Sequence, residues 1–128
     1  MCGFLGEYTF KPNSLTESAS FEALLALSVH RGPDASCTTR GSGFQLGFNR
    51  LAILDVSAQG NQPKASPSGR YQVVFNGELY NYQDLAATYA LTDLHSTSDT
   101  EVLVHLLDAL GVAATIPLLN GMFAIAII

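Results

Sequence analysis

The chain has 128 residues, 48% hydrophobic and 13% charged, which is material for one compact core and too little for two ordinary domains. Six Lys plus Arg against eleven Asp plus Glu give a net charge of −5, so no basic stripe exists to follow a phosphate backbone and a nucleic-acid partner is not expected. No apolar run approaches the roughly 18 residues of a membrane span, and the start Met1-Cys2-Gly3-Phe4-Leu5-Gly6 lacks the basic leader of a signal peptide. The expected location is the cytoplasm, where Cys2 and Cys37 stay reduced.

In chain order, Gly3 to Phe10 reads as a first strand broken at Gly6. From Ser20 to His30, Phe21, Leu24, Leu25 and Ser28 fall at helical spacing, and the turn Arg31-Gly32-Pro33-Asp34 ends that helix. Phe44, Leu46 and Phe48 alternate as in a strand, Leu51 to Leu54 continues as a second, and Tyr71 to Phe75 makes a third. Between them, the Pro-, Gly-, Ser- and Asn-rich stretch from Gln59 to Arg70 reads as a surface loop. Asn76-Gly77 interrupts the third strand, and Asn81 then caps a short helix reaching Tyr89.

Ser98 and Glu101 have capping-box spacing ahead of Val102, Leu103, Leu106, Leu107 and Leu110, and Gly111 is placed to end that helix. Gly121 to Ile128 alternates large and small apolar residues as a buried strand does. A strand with nothing after it suggests a chain cut from something longer. Strands and helices are mixed along the chain, which implies layered α and β structure.

Cys2 carries the most chemistry. Removal of Met1, which the small residue at position 2 and Gly3 favour, would leave a thiol and a free α-amine on one residue. The thiolate is a nucleophile, and an α-amine of pKa about 8 can relay its proton near neutrality. His30, His95 and His105 have no zinc-site spacing with either cysteine, so no metal is expected.

Four internal segments are more specific than a core requires: Arg31-Gly32-Pro33-Asp34, Asn49-Arg50-Leu51-Ala52-Ile53-Leu54-Asp55, Asn76-Gly77-Glu78-Leu79-Tyr80-Asn81-Tyr82 and Ser98-Asp99-Thr100-Glu101. With Met1-Cys2-Gly3-Phe4-Leu5-Gly6 and Gly121-Met122-Phe123-Ala124, they occur in order over nearly the whole chain. Together they resemble the class II, N-terminal-cysteine glutamine amidotransferase domain of the asparagine synthetase (glutamine-hydrolysing) family. Arg-Gly-Pro-Asp and Asn-Gly-Glu-Leu-Tyr-Asn select that branch over the purine and aminosugar branches. Phe48 departs from the pattern, since many relatives carry His two residues before the arginine.

The resemblance implies an α+β, four-layered αββα N-terminal-nucleophile hydrolase fold over residues 1–128, incomplete at its C-terminus, with the synthetase half and its Ser-Gly-Gly signature absent. It implies Cys2, Asn76 and Gly77 as catalytic residues, and Arg50, Leu51, Ile53, Asn76, Gly77, Glu78 and Asp99 as the glutamine-binding set. Free glutamine presents a carboxylate, an ammonium and an amide. Arg50 suits the first with its planar fork, Asp99 the second from a helix start, and Asn76 with the Gly77 N–H the oxyanion of acyl transfer.

The commoner structural roles are a surface ion pair for Arg50, a first-turn charge for Asp99 and a hairpin turn for Asn76-Gly77. The expected reaction is glutamine hydrolysis through a Cys2 thioester, supplying ammonia for ATP-dependent amidation. No cofactor is expected in this domain, and ATP and Mg belong with the absent synthetase domain or subunit. A homodimer stays open. The alternative is a non-catalytic fragment that binds glutamine or a partner.

Overall fold

The computed structural model of the protein describes residues 2–11, 13–53 and 56–128. Met1, Pro12, Leu54 and Asp55 lie outside the described residues, and with Leu54 goes the end of the second expected strand. The described residues form an α+β fold with two three-stranded antiparallel sheets.

The first sheet joins β1 (Gly3–Tyr8), β2 (Ala35–Gly41) and β3 (Phe44–Arg50) in the order β1-β3-β2. Gly6 does not break β1; it pairs with Leu46 in an unbroken register from Gly3 opposite Asn49 to Tyr8 opposite Phe44. Strand β2 was not expected, because its residues are polar or small on both faces. The central strand β3 ends at Arg50, and Leu51–Ile53 is not a strand, with Ile53 72% exposed.

The second sheet joins β4 (Lys64–Ala65), β5 (Gln72–Leu79) and β6 (Gly121–Ile127) in the order β4-β5-β6. Asn76-Gly77 is not an interruption. Both residues lie inside β5, opposite Ala124 and Phe123 of β6. A Cβ on Gly77 would stand 2.2 Å from the Met122 carbonyl oxygen, so glycine is what lets the strands close here. The expected surface loop is also partly interior: it begins within a 3₁₀ turn at Ala58–Gly60, contains β4, and buries Gln62 and Ser66.

Alternation along the strands sorts the core. Leu46, Phe48 and Val74 form a cluster between the sheets, with Cys2, Phe4, Phe44, Ala126 and Ile128 packed against it. On the other face of β5, Val73, Phe75 and Leu79 meet Leu103, Val104 and Leu107 of α3 (Asp99–Leu110). Helix α2 (Tyr82–Thr88) joins α3 through Leu85, Val102 and Leu106. Helix α1 (Ser18–Ala26) is shorter than expected and buries only Phe21 and Leu25 of its predicted face, leaving Leu24 half-exposed. A 3₁₀ turn at Val29–Arg31 follows it.

Two capping expectations come out differently. Ser98 accepts the Glu101 N–H at 3.2 Å, which is half of a capping box. The Glu101 side chain does not return to the cap. It pairs with Lys64 at 2.5 Å and His105 at 3.4 Å, both alongside. Asn81 precedes α2 without capping it by its side chain; it donates to Leu118 O and accepts from the Asn120 N–H, tying the turn before β6. Helix α4 (Val112–Thr115), only one turn long, was not expected after Gly111. Among the described residues no helix is long and apolar enough to cross a membrane.

Burial pushes the Glu101 carboxyl up, but the Lys64 ammonium and the bonds from His95 N–H and Ser96 outweigh it and hold the group below its ordinary range. Its contribution is therefore present above the ordinary carboxylate pKa and is lost as pH falls through the lowered one. Glu101→Gln should cost about 2 kcal/mol, because it strands the Lys64 charge. Urea titration should show that gap at pH 7 and a narrowing gap on acidification.

Candidate functional site

All eight residues singled out from the sequence line one cavity of about 180 Å³: Cys2, Arg50, Leu51, Ile53, Asn76, Gly77, Glu78 and Asp99. They arrive from four places. Cys2 leads into β1, Arg50 ends β3, Asn76 to Glu78 lie in β5, and Asp99 opens α3. The sheets face one another across the cluster containing Phe48 and Val74, which brings the two strand ends together.

Cys2 is held from two sides. Its Sγ meets the Leu51 N–H at 3.2 Å, a donor that also suits a thiolate, and lies 3.6 Å from the Leu51 carbonyl. Its own carbonyl accepts from Arg31 Nε at 3.1 Å. The Arg-Gly-Pro-Asp turn thus braces the chain around the thiol. Asp34 completes it, accepting the Ala52 N–H at 2.8 Å and donating its own N–H to Arg50 O at 3.0 Å. Gly32 is needed there because a Cβ would sit 2.2 Å from Asn49 O.

Asn49, the first residue of its motif, lies behind the cavity. Fully buried, it donates to Leu25 O and Ser28 Oγ and accepts from Ser36, fastening α1 to β3. Arg50 is 8% exposed. One guanidinium nitrogen donates to Ser57 O at 2.6 Å and Asn61 Oδ1 at 2.8 Å, which orients the fork at the cavity wall.

Asp99 is buried at the N-terminus of α3. Its two carboxylate oxygens accept separate backbone amides, Leu79 N–H at 2.9 Å and Thr100 N–H at 2.8 Å. Among the described residues no cation pairs with it. Desolvation raises its pKa above the ordinary aspartate value, the two amides and the Thr100 hydroxyl pull the other way, and the neighbouring Glu78 charge adds to the rise. A ligand cation entering the cavity would stabilise the charged form.

The edge of β5 supplies the most specific geometry. Strand β4 pairs only with Gln72 and Val73, so beyond them the edge has no partner strand among the described residues. On that edge the Phe75 N–H goes to Gln62 Oε1 at 2.6 Å and the Leu79 N–H to Asp99. The Gln72 and Tyr80 amides go the opposite way, to Ile128 O and Asn120 O flanking β6. The two-residue alternation then directs the Gly77 N–H to the cavity side, between Phe75 and Leu79. No side chain among the described residues caps it. Asn76 is half-buried beside it, and its carboxamide makes no hydrogen bond among the described residues.

The cavity also includes residues that sequence reasoning missed, chiefly Gln62, Phe48, Phe75, Thr100 and Met122. Ser98 and Thr100 lay in a motif from which only Asp99 was assigned to the site, and Gln62 lay in the stretch read as a surface loop. Among the described residues no group of three His, Cys, Asp or Glu side chains is arranged to hold a metal.

A thiol, a carboxamide beside an uncapped backbone N–H, a guanidinium and a buried carboxylate around one cavity are the chemistry needed to hold a zwitterionic amide and attack its carbonyl. The chain belongs to the family described as the glutamine amidotransferase domain, whose model matches residues 1–128. It is 36% identical over 131 residues to asparagine synthetase [glutamine-hydrolyzing] 2 of Bacillus subtilis (strain 168), a match covering 99% of this chain and 17% of the relative. Asparagine synthetase B [glutamine-hydrolyzing] of Escherichia coli (strain K12) is 34% identical over 128 residues, 99% of this chain and 23% of that protein. For the enzyme of Zea mays, the values are 32% over 128 residues, 100% and 22%. The chain spans about a fifth of the length of these curated relatives.

Proposed function

We propose that the chain hydrolyses glutamine to glutamate and ammonia through a thioester on Cys2, in a four-layered αββα N-terminal-nucleophile fold. The packing of α1 on β3, of the two sheets on each other and of α3 on β5 supports that layering. The single observation carrying the chemistry is the Gly77 N–H left open between two capped neighbours, on the cavity that Cys2 lines.

In this reading Met1 is removed, and the free amine of Cys2 takes the thiol proton as sulfur bonds to the side-chain amide carbon. The oxygen becomes an oxyanion held by the Asn76 amide and Gly77 N–H. The carbon–nitrogen bond then breaks and ammonia departs with the proton from the amine. Water attacks the thioester, sulfur leaves as the thiol, and glutamate is released. Arg50 binds the substrate carboxylate and Asp99 its ammonium, while Leu51, Ile53 and Glu78 line the substrate cavity.

The ammonia passes to a synthetase domain or subunit, a role supported by the names of the longer relatives. ATP and Mg act on that partner, and the location is the cytoplasm. Incubation with glutamine should yield glutamate and ammonia in equal amounts, whereas binding without either product would favour a non-catalytic glutamine-binding unit.

Asp99→Asn should raise KM for glutamine roughly tenfold to a hundredfold, the worth of one charged hydrogen-bonded contact. The pH dependence follows from the raised pKa. As pH falls through it, Asp99 becomes neutral and loses its hold on the ammonium, so wild-type kcat/KM declines on the acid side. Protonation of the Cys2 amine gives both proteins an acid limb, and steady-state kinetics across pH should show the further decline set by Asp99 in the wild type and not in Asp99→Asn.

A further inference from the structure

We infer that Gln62 is a positioning residue for the oxyanion donors, an assignment that rests on the glutaminase reading above. Strand β4 stops at Lys64, opposite Val73, and leaves Phe75, two residues further along β5, without a backbone partner on this edge among the described residues. Gln62 and Pro63, which precede Lys64, make no backbone pair with β5 among the described residues. The Gln62 side-chain amide replaces the missing strand: Oε1 accepts the Phe75 N–H at 2.6 Å, and Nε2 donates to the Phe75 carbonyl at 3.1 Å. The same Nε2 reaches Thr100 Oγ1 at 3.3 Å.

Gln62 is 7% exposed and lines the cavity. One buried carboxamide therefore fixes the backbone immediately before Asn76 and, through Thr100, the residue beside Asp99. The Phe75 carbonyl it grips belongs to the peptide whose nitrogen is that of Asn76. With Asp99 gripping Leu79, the edge is pinned two residues to either side of Gly77. The Gly77 amide is left to the substrate, and its direction is set by the pins. Only a side chain offering a donor and an acceptor together can do this; a carboxylate accepts but cannot donate, and a thioether does neither effectively.

The test uses Gln62→Met and Gln62→Glu, with active sites counted by covalent titration with a glutamine-like electrophile so that unfolded molecules drop out. Positioning predicts that kcat per titrated site falls about tenfold to a hundredfold in Gln62→Met, more than KM changes, as expected when reacting groups shift by a fraction of an ångström. For Gln62→Glu, activity relative to wild type should rise as pH falls, because the protonated carboxyl regains a donor. If Gln62→Met cannot be purified folded, that pH ratio carries the test. Wild-type kcat per titrated site in Gln62→Met, or a pH-independent ratio in Gln62→Glu, overturns the inference alone. Wild-type protein that releases no ammonia overturns the glutaminase reading and this inference with it.

Discussion

Cys2→Ala protein should fold and release no ammonia from glutamine, a loss of about 10⁴ or more, as expected when a covalent nucleophile is removed. The fold should survive because the substitution keeps the Cβ and deletes one atom. Cys2 is only half-buried at the edge of the cluster formed by Leu46, Phe48 and Val74, so the stability cost should be about 1 kcal/mol or less. The Sγ contact with the Leu51 N–H disappears, but that amide borders a cavity that water can enter. Circular dichroism and a urea midpoint close to wild type, with no glutamate formed over hours, is the expected pair of results. Intact mass adds an independent reading: wild-type protein should lack Met1 and gain one adduct from an electrophilic glutamine analogue, and Cys2→Ala should gain none. Normal turnover in Cys2→Ala would end the thioester mechanism.

Legibility in the sequence followed the strength of local signals. The apolar alternation of β3 and the dense apolar content of β5 and β6 marked strands; β3 and β5 bury large side chains, whereas β6, expected to be buried, is an edge strand among the described residues, whose apolar residues are only partly covered and whose Met122 is exposed. Strand β2 carried no such mark, because Ser36, Thr38 and Arg40 alternate with Ala35, Cys37 and Thr39, and its pairing depends on β3 rather than on its own burial. The Asn-Gly pair misled for the opposite reason. That dipeptide signals a turn when nothing packs over it, but here the close passage of β6 requires a glycine within the strand. Asn81 similarly had the composition of a cap while its partners, Leu118 and Asn120, lie almost forty residues downstream.

At the cavity, charged and nucleophilic residues were legible because their chemistry is rare in a chain with 13% charged residues. Gln62 was not. Its function as a substitute strand exists only once β5 is beside it, and no periodicity in Gln59 to Arg70 encodes that. Charge alone also could not separate Asp99 from Glu101. Both are buried at the start of α3, yet Glu101 is matched by the Lys64 cation, and Asp99, among the described residues, by two backbone amides and the Thr100 hydroxyl alone. That difference in partners leaves Asp99 available to a ligand cation.

Asn76→Ala should lower kcat for glutamine hydrolysis by roughly 10² to 10³ while KM changes little, because an oxyanion donor acts mainly on charge that develops in the transition state. The side chain makes no hydrogen bond among the described residues, so its removal breaks no bond in the free protein and stability should remain within about 1 kcal/mol of wild type. Asn76→Asp should be worse than alanine, since a carboxylate would face the developing oxyanion and add its charge to those of Glu78 and Asp99. The contrast with Asp99→Asn is the decisive part. One substitution should act on kcat and the other on KM, although both residues border the same 180 Å³ cavity. Single-turnover measurement of thioester formation separates the two, because the Asn76 defect persists at saturating glutamine and the Asp99 defect is largely recovered. An Asn76→Ala variant that regained wild-type turnover at saturating substrate would make Asn76 a ground-state binding residue and leave Gly77 as the only proposed oxyanion donor.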